Sequence, residues 1–150
     1  IISPPRCGKT TLLRDISRNL GKTNKVCIID ERSEIAGVFQ GYAQNDVGDN
    51  TTVLDGCPKH IGIPLAIRSM SPHVIITDEI GLENDIYAIN YATLSGVKII
   101  TTAHGKDVDD LKRKRNFKEI LEFFDVFIVL NNRNKIGDIT EIIRREDAYI

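Results

Sequence analysis

The sequence has no tryptophan, one methionine and three cysteines. Because Cys7, Cys27 and Cys57 are odd in number and have no CxxC spacing, they argue against a disulfide framework or a zinc site and favour reduced thiols in a cytosolic protein. The longest nearly apolar run, residues 123–130, contains Asp125 and is far shorter than the roughly 20 residues that a membrane-spanning helix needs. Within these residues, the sequence therefore predicts no transmembrane segment.

An excess of charge of one sign is also absent, since 20 Lys and Arg residues stand against 21 Asp and Glu residues for a net charge of −1. No general basic field would attract the chain to nucleic acid or to an anionic membrane. The 150 residues are 41% hydrophobic, which is enough for one domain with its own core. We expect residues 1–150 to be one domain of a longer protein, because Ile1 directly precedes a phosphate-loop pattern that normally follows a longer strand.

The pattern of hydrophobic residues predicts an α/β protein. Short runs rich in Val and Ile alternate with segments of helical periodicity, and such runs are typical of strands buried on both faces of a mainly parallel sheet. The predicted strands are residues 1–2, 26–29, 74–76, 97–100 and 126–130. The predicted helices are residues 10–20, 62–70 and 82–94, followed by one helix or two short helices within residues 108–124.

Three local features complete this prediction. Residues 131–134, Asn-Asn-Arg-Asn, predict a turn, and residues 136–143 are predicted to form an antiparallel edge strand and so a C-terminal hairpin. The stretch 31–59 has no clear period, and loops of this length in a compact domain are usually functional. In the second predicted helix, Pro64 is expected within the first turn, because a proline further inside removes a hydrogen bond.

Residues 3–11, Ser-Pro-Pro-Arg-Cys-Gly-Lys-Thr-Thr, match the end of the phosphate-loop pattern GxxxxGK[ST]. In this pattern Gly8 lets the backbone approach a phosphate oxygen, Lys9 reaches the β- and γ-phosphates of a nucleotide, and the Thr10 hydroxyl binds Mg²⁺. Ser3 replaces the first glycine of the pattern. A chance Gly-Lys-Thr before an amphipathic helix is therefore the alternative interpretation.

A second candidate site lies at the end of the third predicted strand, where Asp78 and Glu79 follow Thr77. Adjacent carboxylates after a buried strand suit two tasks: Asp78 can hold the shell of a Mg²⁺ ion, and Glu79 can polarise an attacking water. The alternative is a strand followed simply by the acidic start of a helix.

Two further strand ends carry polar groups. The fourth predicted strand leads into Thr101–Gly105, so Thr102 or His104 would face the ligand crevice of an open α/β sheet and could sense a γ-phosphate. The second predicted strand leads into residues 30–34, which place more carboxylates near the same crevice. Three strand ends with ionisable groups behind one phosphate loop together predict a nucleoside-triphosphate site.

These motifs resemble those of a known class of motors. Residues 66–80 resemble the Walker B region of type II secretion and type IV pilus motor ATPases, residues 96–105 resemble their histidine box, and residues 30–34 stand where their aspartate box stands. The resemblance implies a RecA-like P-loop NTPase core that uses ATP and Mg²⁺. Residues 30–32, Asp-Glu-Arg, also resemble the strand end of hexameric RecA-type motors such as rotary ATP synthases and the termination helicase Rho, in which the Glu activates water.

A narrower resemblance, from the start of the chain to about Leu130, is to the stage III sporulation AA family of engulfment-stage ATPases, and Ser3 does not count against it. The family implies a cytoplasmic ATPase in the mother cell of endospore-forming bacteria. There it would power a secretion-like channel between mother cell and forespore, as a hexameric ring docked on membrane proteins. The segments that carry the resemblance are residues 3–11, 30–37, 54–59, 68–72 and 102–105.

The resemblance also implies roles for individual residues. The secretion and pilus motors have Gly where Asp78 stands, so Glu79 is the residue carried over as the base, with Glu31 as its competitor. Either Arg32 or Arg68 could neutralise transition-state charge, within its own subunit or across a subunit boundary. The predicted catalytic set is Glu79, Glu31, His104, Arg32 and Arg68; the predicted ATP contacts are Ser3, Pro4, Pro5, Arg6, Cys7, Gly8, Lys9, Thr10 and Thr11; the predicted Mg²⁺ ligands are Thr10 and Asp78.

Two other functions stay open at this point. A RecA-like translocase on single-stranded nucleic acid would use the basic run in residues 112–118, although such runs are usually solvated and we do not expect nucleic acid as a partner. A scaffold that binds ATP without hydrolysing it is the other alternative, and the presence of both Glu31 and Glu79 argues against it. Residues 55–59 are interpreted equally well as a substrate loop or as a plain turn.

Overall fold

The computed structural model describes residues 1–131 and 135–145. Its strands are β1 (Ile2–Ser3), β2 (Val26–Asp30), β3 (Val38–Phe39), β4 (Tyr42–Ala43), β5 (Thr51–Asp55), β6 (Val74–Thr77), β7 (Lys98–Ile100), β8 (Ala103–His104), β9 (Val126–Asn131) and β10 (Asp138–Arg144). Its helices are α1 (Lys9–Leu20), α2 (Lys59–Met70), α3 (Glu83–Leu94), α4 (Val108–Lys112) and α5 (Phe117–Leu121). Across the described residues, no helix combines the length and the apolar character that a membrane span requires.

Two four-stranded sheets form the framework, and the chain passes directly from one to the other. The first has the order β5-β2-β6-β7 and is parallel throughout. The second has the order β10-β9-β1-β8 and is parallel except for the β9–β10 pair. Only Thr101 and Thr102 separate β7 from β8, so one extended segment links the sheets. The predicted mainly parallel architecture with a C-terminal antiparallel hairpin is confirmed.

β2 and β6 are buried along their whole length, because helices cover both faces of their sheet. Ile28 packs in a cluster with Leu13 of α1, whereas its neighbour Ile29 packs in a different cluster with Ile63 of α2 and Ala88 of α3. Successive strand residues point to opposite faces, so α1 lies on one face and the α2–α3 pair on the other. This double burial explains why the two strands appear in the sequence as apolar runs without alternation.

The stretch 31–59 contains more regular structure than the sequence predicts. β5 pairs in parallel with β2 over five residues, and β3 and β4 form a small antiparallel hairpin. β5 is the edge strand of its sheet and is only partly buried. Its sequence, Thr-Thr-Val-Leu-Asp, is accordingly half polar, which leaves too weak a hydrophobic pattern for detection.

Two helix starts differ from the prediction. α2 begins at Lys59, so Pro64 is its sixth residue and not part of its first turn. The proline removes one backbone hydrogen bond, and the packing of α2 against α3 and β2 outweighs that local cost. α3 begins at Glu83, and Leu82, the first residue of the predicted helix, precedes it and is 67% exposed.

The C-terminal half otherwise follows the prediction. The region 108–124 forms two short helices, α4 and α5, rather than one. β9 extends through Asn131, which therefore does not belong to the predicted turn; residues 132–134 lie outside the described part of the chain. β10 pairs with β9 and shifts register between Ile139 and Glu141.

Asp30 anchors the loop that follows β2. Its side chain is fully buried and accepts hydrogen bonds from the backbone N–H groups of Glu34 (2.9 Å), Ile35 (3.1 Å) and Ala36 (2.8 Å). A buried carboxylate is tolerated when it is hydrogen-bonded in this way. The contacts turn the chain back after β2 and so hold residues 31–33 at the edge of the sheet.

We expect Asp30→Asn to destabilise the fold by about 2 kcal/mol, because the amide replaces one acceptor by a donor that faces a backbone N–H. Urea unfolding followed by circular dichroism measures the effect. Asp49→Asn, at an exposed position, is the matched control and should change stability by less than about 0.5 kcal/mol. Equal unfolding midpoints for the two variants would contradict the anchoring role of Asp30.

Candidate active site

The loop between β1 and α1 has the conformation that its glycine permits. Gly8, the residue before α1, has φ = 85°, and a Cβ there would lie 3.3 Å from the Cα of Gly137. Both the left-handed backbone and the lack of space favour glycine at this position. The loop leads into the N-terminus of α1, where the first N–H groups of the helix have no partner within the helix and the helix dipole has its positive end. The first turn has no acidic residue that would neutralise this positive end.

The Lys9 side chain folds back under this loop. Its Nζ donates to the carbonyl oxygen and hydroxyl of Ser3, at 3.1 and 3.0 Å, and to the carbonyl oxygen of Pro4 at 3.0 Å. The residue is only 8% exposed, and burial is the main cause that lowers the pKa of its ammonium group. Ser3, which stands in place of the first glycine, therefore contributes two of the oxygen atoms that hold Lys9.

His104 connects the loop to the carboxylates that follow β6. β8 places it opposite Ser3 in β1, with its Nδ1 3.1 Å from Lys9 Nζ and its Nε2 3.2 Å from Glu79 Oε2. These two contacts suit one neutral tautomer, in which Nδ1 accepts from the ammonium group and Nε2–H donates to the carboxylate. The imidazole thus bridges the predicted phosphate-binding cation and the predicted base.

Arg32 forms a second bridge, from the loop after β2. Its Nε lies 3.3 Å from Asp78 Oδ2, and its Nη2 lies 3.2 Å from Glu79 Oε2 and 3.4 Å from Glu34 Oε2. The guanidinium is half exposed on the cleft side. The structure therefore places Arg32 among the carboxylates of its own chain.

Lys59 is the residue of this site that the sequence analysis missed. Its Nζ lies 2.5 Å from Glu31 Oε2 and 3.4 Å from Asp78 Oδ1. Burial alone would lower its pKa, but the hydrogen bond with Glu31 and the charge of Asp78 raise the pKa above the usual lysine value. The sequence signal for Lys59 is its place in the segment 54–59, which carries part of the family resemblance. Residues 55–59 are predicted as a substrate loop or a plain turn, whereas the structure has the end of β5 at Asp55 and the start of α2 at Lys59.

Asp78 lies between the two cations. Its side chain is only 4% exposed, with Lys59 beside Oδ1 and Arg32 beside Oδ2. Among the described residues Oδ1 accepts no hydrogen bond, since the contact with Lys59 is an ion pair only. Oδ1 is fully buried, so its charge is compensated by the ammonium group of Lys59, whereas Oδ2 is the oxygen on the side of the cleft-lining Arg32.

The donor set fits Mg²⁺ that arrives with a nucleotide. Thr10 lines the cleft at the first turn of α1, and Asp78 faces it from the end of β6. Within residues 1–131 and 135–145, no group of three or more His, Cys, Asp or Glu side chains is arranged to hold a metal ion. In nucleotide sites Mg²⁺ is usually held by one or two side chains together with phosphates and water, which the residues present here can satisfy.

The structure brings most of the predicted site residues to one cleft of about 470 Å³. Ser3 and Pro4 lie beside it through their contacts with Lys9, and Glu31 faces Lys59 outside its lining. Arg68 is not part of the cleft; it is exposed in the last turn of α2, where its Nε donates to the Pro64 carbonyl oxygen. The cleft is lined by Pro5, Arg6, Cys7, Gly8, Lys9, Thr10, Thr11, Arg32, Glu34, Asp78, Glu79, Thr102, His104 and Ile136.

A second cavity of about 470 Å³ is mainly apolar and lies between β7 and β9. Its lining comes largely from Ile, Val and Phe side chains of these strands and of α5. The cleft at the phosphate-loop pattern is the candidate active site, because it combines backbone donors, cations and carboxylates, which phosphate chemistry requires.

The basic run is partly neutralised by its neighbours. Lys112 pairs with Asp109 at 3.2 Å, and Lys114 pairs with Asp110 at 4.0 Å and also donates to the His104 carbonyl oxygen. These ion pairs favour the interpretation of the basic run as a solvated surface. The hydrogen bond from Lys114 also connects the run to β8, the strand that contains His104.

Comparison with known proteins supplies the family and the fold. The model of the family "Sporulation stage III, protein AA" matches residues 1–150. Stage III sporulation protein AA of Bacillus subtilis (strain 168) is 43% identical over 154 residues, an alignment that covers 97% of this chain and 50% of the relative.

Two solved ATPases have the same fold. The VirB11 ATPase of the Brucella suis type IV secretion system, in complex with sulphate, has a TM-score of 0.69 at 16% identity, covering 97% of this chain and 47% of that chain. The Legionella pneumophila ATPase DotB has a TM-score of 0.63 at 22% identity, and the match covers 85% of this chain and 38% of that chain. The predicted RecA-like fold is thereby confirmed as the fold that this chain shares with the two ATPases. The chain spans about half the length of the sporulation and VirB11 relatives that it matches.

We expect Lys9→Ala to weaken ATP binding by about 10- to 100-fold, since a hydrogen bond to a charged group contributes roughly 1.5–3 kcal/mol. Titration calorimetry measures the affinity. Lys22→Ala, exposed just after the same helix, is the matched control and should bind ATP normally. Unchanged affinity in a folded Lys9→Ala protein would refute the assignment of the phosphate loop.

Proposed function

The chain belongs to the sporulation stage III, protein AA family, and from this premise we propose that it is an ATP-binding and ATP-hydrolysing motor subunit. Its work would be to power a secretion-like channel between mother cell and forespore, from the cytoplasm of the mother cell. The observation that carries the proposal is the convergence of Lys9, His104, Glu79 and Asp78 on one cleft at the start of α1.

The loop and α1 would bind the phosphates of ATP. Lys9 is the cation next to the loop, and in the nucleotide-bound protein we assign it to the β- and γ-phosphates in place of the carbonyl oxygens that it contacts here. Thr10 and Asp78 would hold Mg²⁺, which neutralises charge on the phosphate oxygens and orients them. Residues 3–11 as a whole form the nucleotide-binding segment of the proposal.

Glu79 is the proposed base. It lies in the cleft lining, where His104 Nε2 and Arg32 Nη2 hold its Oε2 from two sides. A carboxylate held in this way can accept the proton of a water molecule positioned for attack on the γ-phosphate. The link from Lys9 through His104 to Glu79 would let the presence of the γ-phosphate determine the orientation of the base.

The motor would act as a ring, for which we propose six subunits docked on membrane-bound proteins of the channel. The support is the fold shared with ATPases, one of which comes from a type IV secretion system. Arg32 is engaged with carboxylates of its own chain, and Arg68 lies exposed on α2 outside the cleft. Of the two predicted arginines, Arg68 is therefore the one free to reach a neighbouring subunit, while Arg32 would act in its own.

We expect Glu79→Gln to lower single-turnover ATP hydrolysis by about 10²- to 10⁴-fold, because the amide keeps the size and hydrogen bonding of the base but cannot take a proton. ATP binding should be retained, so the variant should accumulate as the ATP-bound assembly. Glu31→Gln should have a smaller effect, since Glu31 pairs with Lys59 outside the cleft.

The matched control for both variants is Glu119→Gln on the exposed side of α5, which should hydrolyse ATP at the wild-type rate. A near-normal rate for Glu79→Gln together with a collapsed rate for Glu31→Gln would transfer the base to Glu31. The mechanism would then be that of the Rho and rotary class.

We expect the ATPase activity per subunit of the full-length protein to rise with protein concentration, because a site completed by an arginine from a neighbour works only in the assembly. A dilution series with parallel mass measurement by light scattering tests this. Arg68→Ala should lower activity at high concentration without changing ATP affinity. Specific activity that stays high and constant down to monomeric protein would contradict the contribution in trans.

A further inference from the structure

Three charged side chains, those of Lys59, Asp78 and Glu31, meet at the inner end of the cleft, and two of them are almost fully buried. Lys59 is 7% exposed and Asp78 is 4% exposed, while Glu31 is one-third exposed. Burying a charge is unfavourable unless a partner of opposite sign compensates it. The 2.5 Å contact with Glu31 and the 3.4 Å contact with Asp78 supply that compensation for Lys59, and Lys59 supplies it for Asp78 in return.

The two cations beside Asp78 differ in what they can do. Arg32, on Oδ2, lines the cleft and is half exposed, so an incoming phosphate can draw it away. Lys59, on Oδ1, is buried and does not belong to the cleft lining. It extends from the first residue of α2, a helix packed against β2 and α3, and is therefore held in place by the fold.

We propose that Lys59 is a positioning residue of the ATPase site, which fixes Asp78 for Mg²⁺ and holds Glu31 outside the cleft. The inference rests on the proposed function and adds to it a residue that neither the phosphate loop nor the three strand ends contain. It also gives the segment 55–59 a function, since this segment delivers the lysine to the carboxylates at the ends of β2 and β6.

The position of Lys59 bears on the choice of base. Glu31 is tied to a buried lysine by its Oε2, whereas Glu79 faces the cleft with His104 and Arg32. A general base must lie within hydrogen-bond reach of the water that it activates, and of these two carboxylates only that of Glu79 lines the cleft. Lys59 thereby favours Glu79 for proton transfer and leaves Glu31 the task of holding the lysine.

The test compares Lys59→Gln, Lys59→Arg and the control Lys22→Gln in the full-length protein. AMP-PNP binding is measured by calorimetry without Mg²⁺ and then across a Mg²⁺ titration, and ATP hydrolysis gives kcat and KM. We expect Lys59→Gln to bind AMP-PNP normally without Mg²⁺ and to need about 10- to 100-fold more Mg²⁺ than the wild-type protein for tight binding. We also expect its kcat to fall by about the same factor, with KM little changed. Lys59→Arg should recover most of both losses, because it keeps a positive charge beside the buried Asp78 carboxylate.

A double variant, Lys59→Gln with Glu31→Gln, covers the case in which the single variant does not fold. It removes both members of the Lys59–Glu31 ion pair, leaves two neutral groups that can hydrogen-bond, and retains Arg32 as the cation beside Asp78. It should therefore fold and still show the shifted Mg²⁺ dependence. A wild-type Mg²⁺ dependence in either neutral variant, or a Lys59→Arg protein no better than Lys59→Gln, would overturn the inference. Failure of the wild-type protein to bind AMP-PNP would instead contradict the proposed function itself.

Discussion

The parallel pairing of β2 with β6 is the constraint on which the site depends. Val26 lies opposite Val74 and Ile29 opposite Thr77, so the two strands end at the same level. Because parallel strands present their carboxyl ends at one edge, residues 30–32 and 78–79 leave the sheet side by side. The second sheet repeats the arrangement with Ser3 opposite His104, which brings the phosphate-loop pattern and the histidine to that edge as well.

This convergence creates an electrostatic problem, which the fold solves with cations from separate elements. Glu31, Asp78 and Glu79 would repel one another if they stood alone at one end of the sheet. Arg32 from the same loop as Glu31 and Lys59 from the start of α2 compensate them. Of these two compensating cations, Arg32 lines the cleft and Lys59 lies outside its lining.

The loop after β2 shows how backbone and charge are linked. The Asp30 carboxylate accepts hydrogen bonds from three backbone N–H groups. It is therefore not available to bind a ligand in the cleft, although Asp30 directly precedes Glu31 and Arg32 in the sequence. Its neighbours diverge, with Glu31 directed to Lys59 and Arg32 to Asp78. Three adjacent ionisable residues thus have three different partners, and the turn that Asp30 stabilises is the physical cause.

The sequence by itself determined the α/β class, the buried parallel strands and the motifs of the candidate site, because double burial and the requirements of phosphate binding both impose local patterns of residue type. It did not reveal the edge strand β5, whose pattern is half polar, or the start of α2 at Lys59. Only the tertiary structure decided which charges pair. Lys59 meets Asp78 across a separation in sequence of 19 residues, and Arg68, equally plausible in the sequence, lies outside the cleft. Ion pairs across a sheet edge depend on where helices and loops bring distant residues, and no local pattern records that.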